Sequence, residues 1–490
     1  MQLKVKDINL SSGGPLIAVL NEKDGKKFDL KAKDRIRIHK IKSETCIIVV
    51  VDITDKGVEE GEIGLFDEVM HKFKIEPGTS VNITYEPKPQ EIQFIRKKLD
   101  GFKLNASEIK KIIKGVVENR FSDVELTYFV SGCYSNGLNM KETVALTQAI
   151  VETGKRLTFK EKPIIDKHCA GGVPNNRTTM IMIPLLASMG FKMPKTSSRA
   201  ITSPSGTADT MEVLAPVALS EKRIKQVIKK TNACMVWGGS MNLAAADDIL
   251  IKVRHPLRLD PEGMLLASIM AKKKAVGATH VLIDLPFGYG SKFPTKKDAK
   301  KIGKKFERLG KHLSIKTLVV YTDGSQTIGK GVGPALEVAD VIEVLNGKGA
   351  EDLRKKSLYL TEKILRMLNV KKPGFKAQHF LDSGKALKKF KEIIVAQGGK
   401  KHFEIPKAKY RYDVKAQTSG TIKSIYNKGI SKVARLAGAP QDKTAGLYLW
   451  VHKNAKVKKG DVLFTIHSES KAKLENTLIN LKNLETITII

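Results

Sequence analysis

The stretch from Asp166 to Asp209, DKHCAGGVPNNRTTMIMIPLLASMGFKMPKTSSRAITSPSGTAD, constrains the fold of this chain more than any other, because it lays down two anion-binding designs in succession. In the first, an apolar run ending at Ile165 leads into Lys167 and His168, then Gly171-Gly172, and Pro174-Asn175 precede an apolar helical pattern from Thr178 to Met189. Strand, glycine turn and helix in that order crowd backbone N–H groups around an anion, and the helix N-terminus adds a favourable dipole. Lys167 supplies the formal positive charge. In the second, Pro194-Lys195-Thr196 runs into Ser197, Ser198, Arg199, Thr202, Ser203, Gly206 and Thr207. Hydroxyls at that density, with one guanidinium able to bind bidentately, suit the several oxygens of a phosphorylated sugar. Asp209 and Glu212 are expected in the first turn of the helix that follows.

Two such units predict an α/β fold with ligands at the C-terminal ends of its strands. The spacing G-x-x-x-x-G-K-[ST] is absent, which argues against a nucleoside triphosphatase. Gly329-Lys330-Gly331-Val332-Gly333-Pro334 has G-x-G-x-G spacing followed by proline, so it does not meet the dinucleotide fingerprint and a dehydrogenase is disfavoured.

At 490 residues the chain is long enough for two or three domains with ample buried core. Residues 1–85 alternate short β-rich runs (Leu16 to Leu20, Ile36 to Ile38, Cys46 to Val51, Val81 to Tyr85) with glycine and charged turns, and predict a small β-barrel-like domain. Glu86-Pro87-Lys88-Pro89 is the expected linker. From Ile92 the period becomes helical: Ile109, Ile112, Ile113, Val116 and Val117 share a face, and Ser122 with Glu125 forms a capping box. Residues 161–240 and 276–400 form the expected α/β phosphate-binding domain, with strand candidates Lys162 to Ile165, His280 to Leu285 and Thr317 to Tyr321 in a mixed, largely parallel sheet. Residues 405–490 return to β character. Lys458 to Leu463 is similar to the turns of biotinyl and lipoyl carriers, but the acceptor motif with its displayed lysine is missing.

Cys46, Cys133, Cys169 and Cys234 lie far apart without metal-type spacing, and this fits a reducing compartment. Asp247-Asp248 reads as helix capping, and no metal site is expected. No signal segment opens the chain and no apolar run is long enough to span a membrane, so a cytoplasmic protein is expected. The net charge of +35 raises nucleic-acid binding as a rival reading. Its lysines, however, are spread in pairs and triplets with few aromatics between them, which gives no stacking surface; their field would steer anionic substrates.

KHCAGGVPNNRT and KTSSRAITSPSGTADTMEVLAPV together resemble the nucleoside and nucleotide phosphorylase family, in the long branch that holds AMP phosphorylases and long-type thymidine phosphorylases. VWGGSMNLAAADDILIKV at 236–253, DPEGMLLASIMAKKKAVGATHVLIDLP at 260–286 and TDGSQTIGKGVGPALE at 322–337 extend the likeness, which covers most of the chain. The resemblance implies that the helical domain is discontinuous (92–160 and 241–275), that the substrate cleft lies between it and the α/β domain, and that the chain forms a homodimer or larger assembly. It implies phosphorolysis: a sugar C1′ passes from a base to inorganic phosphate through an oxocarbenium-like transition state, with no cofactor beyond the phosphate co-substrate.

By the same resemblance Asp260 is the proton donor to the leaving base, for which burial or nearby negative charge should raise its pKa; Asp before Pro-Glu is equally a helix start signal. Nucleotide contacts are carried onto Gly172, Ser198, Arg199, Ala200, Ile201, Thr202, Ser203, Thr207, Ser268 and Lys292, and phosphate or base contacts onto Lys167, His168, Cys169 and Lys272. Ser268 and Lys272, four apart, share a helical face. Two positions depart from the pattern. Cys169 stands where AMP phosphorylases usually offer serine, and cysteine there looks more like the thymidine phosphorylases; Asn175 replaces the usual glycine of GGVPGN. Lys292, the hydroxyl-rich Ser198 to Thr207 loop and the N-terminal β domain favour a nucleoside 5′-monophosphate, AMP with CMP and UMP as further candidates, over the alternative thymidine, and a phosphoribosyltransferase is a poorer fit to KHCAGGVP and VWGGSMNL.

Overall fold

Alternation of apolar residues closes the N-terminal strands on themselves. The computed structural model describes residues 1–41, 43–200, 203–257 and 259–490, and it divides into two compact units: Met1–Thr153 with Ala245–Leu265, and Gly154–Ala244 with Leu266–Ile490. In the first unit β1 (Gln2–Asp7), β2 (Ile17–Asn21), β3 (Arg35–Lys40), β4 (Cys46–Thr54), β5 (Glu62–Leu65) and β6 (Ser80–Tyr85) form a closed barrel of order β1-β5-β2-β4-β3-β6. Leu3 and Val5, Ala18 and Leu20, Ile36 and Ile38, Val49 and Val51, Ile63 and Leu65, and Val81 and Ile83 point inward and are buried. Closure leaves no unpaired edge. The sequence runs found four of these strands. β1 and β5 were missed because one is loaded with lysine and aspartate and the other is only four residues long.

Glu86, expected in a linker, is buried and accepts from Arg37 Nε at 2.9 Å, so the barrel exit is pinned rather than loose. Beyond it run the helices Ile92–Leu99, Ala106–Val117, Asp123–Ser135, Met140–Thr153 and Ala245–Arg254. The capping box at Ser122 forms as read, with Glu125 N to Ser122 Oγ at 3.2 Å and the return bond at 2.6 Å. Ile109, Ile112, Ile113 and Val116 are buried, whereas Val117 is only half-buried at the edge of the stripe.

The second unit is built on parallel strands. β7 (Ile165–Cys169), β8 (Met193–Ser197), β9 (Ala233–Trp237), β10 (His280–Phe287) and β11 (Lys316–Asp323) pair as β11-β10-β7 and β8-β9, joined by a parallel bridge between Ile164 and Lys192. Every pairing among these described strands is parallel, within the mixed, largely parallel sheet expected. The strand predicted at Lys162 to Ile165 instead begins at Ile165 and carries Lys167 and His168 within it. Register sets Cys169 beside Asp284 and Lys167 beside Leu282. The helix Thr178–Ser188, apolar all round, is buried on all sides.

The C-terminal strands Tyr410–Lys415, Gly446–Leu449 and Val462–Ser468 pair antiparallel over a core with Phe464, Ile466, Leu447 and Ile430. Among the described residues no helix is long and apolar enough to cross a membrane, and no group of three or more His, Cys, Asp or Glu could hold a metal ion.

Candidate active site at the strand ends

β7 places four chemically active side chains in a row. Asp166 is buried and accepts from Lys273 Nζ at 2.7 Å and Lys195 Nζ at 3.1 Å. Burial alone would raise its carboxyl, but the two ammonium groups hold it below the usual carboxylate range. Lys167 is fully buried and donates to Thr178 Oγ1, at the first residue of the following helix, at 2.9 Å. Burial lowers its pKa, while Cys169 and Asp284 oppose that shift. Burial and the cations Lys273, Lys195, Lys167 and Lys272 hold the His168 imidazole well below the ordinary histidine range, so it is neutral at neutral pH. Burial and Asp284 push the Cys169 thiol up to about 11, and Asn176 Nδ2 donates to its sulfur at 2.9 Å. Cys169 is thus a protonated, weakly polar neighbour and not a thiolate.

The glycine turn is shaped by close approach. A Cβ at Gly171 would stand 2.5 Å from the Pro286 ring, Gly172 has φ +65°, and Lys292 N donates to Gly171 O at 2.9 Å. Lys292 therefore belongs to the first loop through its backbone, with its side chain exposed. Asn175 has φ +52°, the left-handed region that glycine occupies most easily and asparagine next, which explains the departure from GGVPGN. Its side chain donates to Asp340.

Sequence reasoning missed the carboxylates behind this loop. Asp284, on β10, accepts from Thr322 Oγ1 at 2.6 Å and Asn176 Nδ2 at 3.3 Å, and stands 3.3 Å from Lys356 Nζ. Burial would raise it, but Lys356, Lys167 and these hydrogen bonds hold it low. Glu337, fully buried and raised by burial, receives Arg177, Thr210 Oγ1 at 3.3 Å and Gly333 N at 3.2 Å. Asp340 accepts Lys330 N at 2.6 Å and Gly331 N at 2.8 Å as well as Asn175. The Gly329 to Pro334 segment that failed the dinucleotide fingerprint is thus a clamp on the first loop. The available signal was a carboxylate inside an apolar run, VLIDL or LEVADVIEV, where a charge has to be paired.

The second loop leaves β8 at Ser197. Arg199 donates to both oxygens of Glu212 at 2.8 and 2.7 Å and to Asp209 at 3.3 Å, and its guanidinium stands 5.0 Å from the Trp237 ring centre. The guanidinium expected to grip an anion is therefore committed to two carboxylates. Glu212 ends the helix Thr207–Glu212; only Asp209 is in its first turn. Asp209 Oδ2 accepts from Ala200 N at 2.7 Å and Gly206 N at 2.8 Å, closing the loop. A Cβ at Gly206 would meet Ser198 O at 2.6 Å. Ser203 Oγ donates to Ser205 O at 3.1 Å, Thr207 is half-buried and Ser198 is exposed. Ile201 and Thr202 lie outside the described residues. Arg177 also donates to Ser205 O, so one guanidinium links the two loops.

Ser268 is buried and Lys272 half-buried on the helix Glu262–Ala275, whose Lys273 is the residue anchored to Asp166. Asp260 precedes this helix. Its side chain is 36% exposed and stands 3.5 Å from Arg254 Nη1. Its carboxylate is exposed rather than buried, with the cation Arg254 beside it. Asp247 and Asp248 sit in the first turn of Ala245–Arg254, where a helix dipole favours acids.

Residues 161–387 match the glycosyl transferase family a/b domain, 92–154 its helical bundle domain, and 421–488 the pyrimidine nucleoside phosphorylase C-terminal domain. The chain is 42% identical to the AMP phosphorylase of Thermococcus sibiricus over 100% of its own length and 98% of that protein. The chain belongs to the AMP phosphorylase family. The family's members from Pyrococcus furiosus and Methanocaldococcus jannaschii are each 41% identical, over 100% and 98% of this chain and 98% and 95% of theirs. Among solved structures, anthranilate phosphoribosyltransferase from Thermus thermophilus superposes with a TM-score of 0.52 at 17% identity, covering 62% of this chain and 98% of that one. The covered part of this chain thus shares its fold with that transferase.

Proposed function

We propose that this chain cleaves nucleoside 5′-monophosphates with inorganic phosphate, AMP foremost and CMP and UMP as further candidates, giving free base and ribose 1,5-bisphosphate. The observation that carries the reading is the buried cationic cluster at the strand ends, Lys167 and Lys356 against a single Asp284, in a chain 42% identical to an AMP phosphorylase over its whole length. Two ammonium groups and one carboxylate leave a net positive charge, which suits an anion.

In this reading phosphate is held by Lys167 with Thr178 and Cys169 beside it, and its oxygen attacks C1′ as the C1′–N bond breaks. The bond electrons go to the base, and Asp260 delivers a proton to a ring nitrogen so that the base leaves neutral. Gly172, Ser198, Arg199, Ala200, Ile201, Thr202, Ser203, Thr207, Ser268 and Lys292 hold the nucleotide, with neutral His168 and Lys272 toward the base. Arg199 acts chiefly by shaping the loop, since Glu212 and Asp209 occupy its donors. The phosphate is the only co-reactant, and neither metal nor cofactor enters. Self-association and the four-part division at 1–85, 92–160 with 241–275, 161–240 with 276–400, and 405–490 belong to the same proposal.

The test is release of free base from AMP, CMP, UMP, thymidine and uridine, each with and without inorganic phosphate, in metal chelator. Phosphate-dependent release from the monophosphates alone supports the reading. Release from thymidine instead moves the assignment to thymidine phosphorolysis, and silence from all five overturns phosphorolysis.

A further inference from the structure

Lys356 lies far in sequence from both loops, on the helix Glu351–Met367, yet its ammonium reaches the end of β10. Its side chain is nine-tenths buried, and its Nζ makes no hydrogen bond. The nearest carboxylate oxygen, Asp284 Oδ2, is 3.3 Å away and already receives Asn176 Nδ2, while Oδ1 receives Thr322. Lys356 thus has an ion-pair partner in Asp284 but three donors without a hydrogen bond, and buried donors left unbonded are costly. Lys167, the other cation of the cluster, is by contrast bonded to Thr178.

Three neutral dipoles face the same region: the Cys169 thiol, the Asn176 amide and the Thr178 hydroxyl at the start of the buried helix. The charge count is two lysines against one aspartate, so the cluster carries an excess positive charge that a bound anion would offset. We infer that Lys356 is a further phosphate-binding residue, whose Nζ pivots on Asp284 to donate to an oxygen of the inorganic phosphate co-substrate. The inference rests on the phosphorolysis reading for its ligand and on the orphaned ammonium for its residue. The co-substrate is favoured over the nucleotide's 5′-phosphate because the groups around Lys356 all belong to the strand ends and the first loop, not to the hydroxyl-rich second loop.

The experiment measures KM for phosphate and KM for AMP separately in Lys356→Met, Lys356→Arg and the double variant Lys356→Met with Asp284→Asn, together with calorimetric binding of inorganic phosphate alone. Lys356→Met should raise KM for phosphate on the order of 10- to 100-fold, the loss expected for a hydrogen bond to a charged group, and leave KM for AMP within about threefold. Lys356→Arg should recover part of the loss. The double variant, which removes the buried pair as a unit, should remain weak for phosphate. Recovery of phosphate affinity in the double variant would mean that Lys356 serves only to neutralise Asp284, and a rise confined to KM for AMP would assign it to the 5′-phosphate; either result overturns the inference. If the wild-type chain turns over no nucleotide, the function reading fails, while the phosphate isotherms still decide whether Lys356 holds that ion.

Discussion

The two loops of the second unit solve different problems with similar ingredients. The first keeps its charge buried and in excess: Lys167 donates to a hydroxyl, Lys356 makes no hydrogen bond, and a single Asp284 stands against both. The second arrives already neutralised, with Arg199 bonded to Glu212 and Asp209 and stacked near Trp237, and with Asp209 stapling the backbone at Ala200 and Gly206. The lesson is that a cation in a loop sequence does not by itself say what the cation binds. An excess of buried charge marks an anion site, whereas a matched set marks a loop held in one shape so that hydroxyls and backbone can do the recognising.

Variants of the two loops should separate that difference. The largest effect is expected for Lys167→Met, which removes the buried charge aimed at phosphate: phosphate-dependent turnover should fall about 1,000-fold or more, read from initial rates of base release. Next comes Asp209→Ala, which orphans two backbone N–H groups and removes one of the carboxylates that hold Arg199. It should lower stability by about 2–3 kcal/mol in denaturant titration and raise KM for AMP more than KM for phosphate. Arg199→Lys keeps the charge and loses the bidentate pairing to Glu212, so its effect on KM for AMP should be smaller, on the order of tenfold.

The least change concerns pH. The His168 imidazole is held neutral in the folded chain, so the unfolded chain binds the extra proton as pH falls through the ordinary histidine range. That contribution to stability is full above about pH 7 and is lost toward pH 5. His168→Asn should therefore flatten the acid side of the stability profile measured by thermal melts between those values, and an unchanged profile would show that the imidazole is not the group responsible.

The two loops, β10, β11 and the helical face of Ala106–Val117 were legible because each rests on local periodicity and on glycine, proline and hydroxyl spacing. The supporting carboxylates were not. Asp284, Glu337 and Asp340 lie more than 100 residues from the loop atoms they bind on the first loop, so no local pattern links them. Lys356 was hidden among the charges of its helix, of which Glu351, Lys355 and Arg366 are exposed, and only the fold turns it inward. Asp260 was legible by its motif as a residue just ahead of a helix, which starts at Glu262, whereas its exposure and the neighbouring Arg254 depend on the fold.

The most direct test measures base release from AMP by the wild-type, Lys167→Met and Asp209→Ala chains, varying phosphate at saturating AMP and then AMP at saturating phosphate. The account predicts a crossed pattern: wild-type release that requires phosphate, a Lys167→Met chain impaired toward phosphate, and an Asp209→Ala chain impaired toward AMP. Release independent of phosphate in the wild type, or equal losses toward both substrates in the two variants, would contradict it.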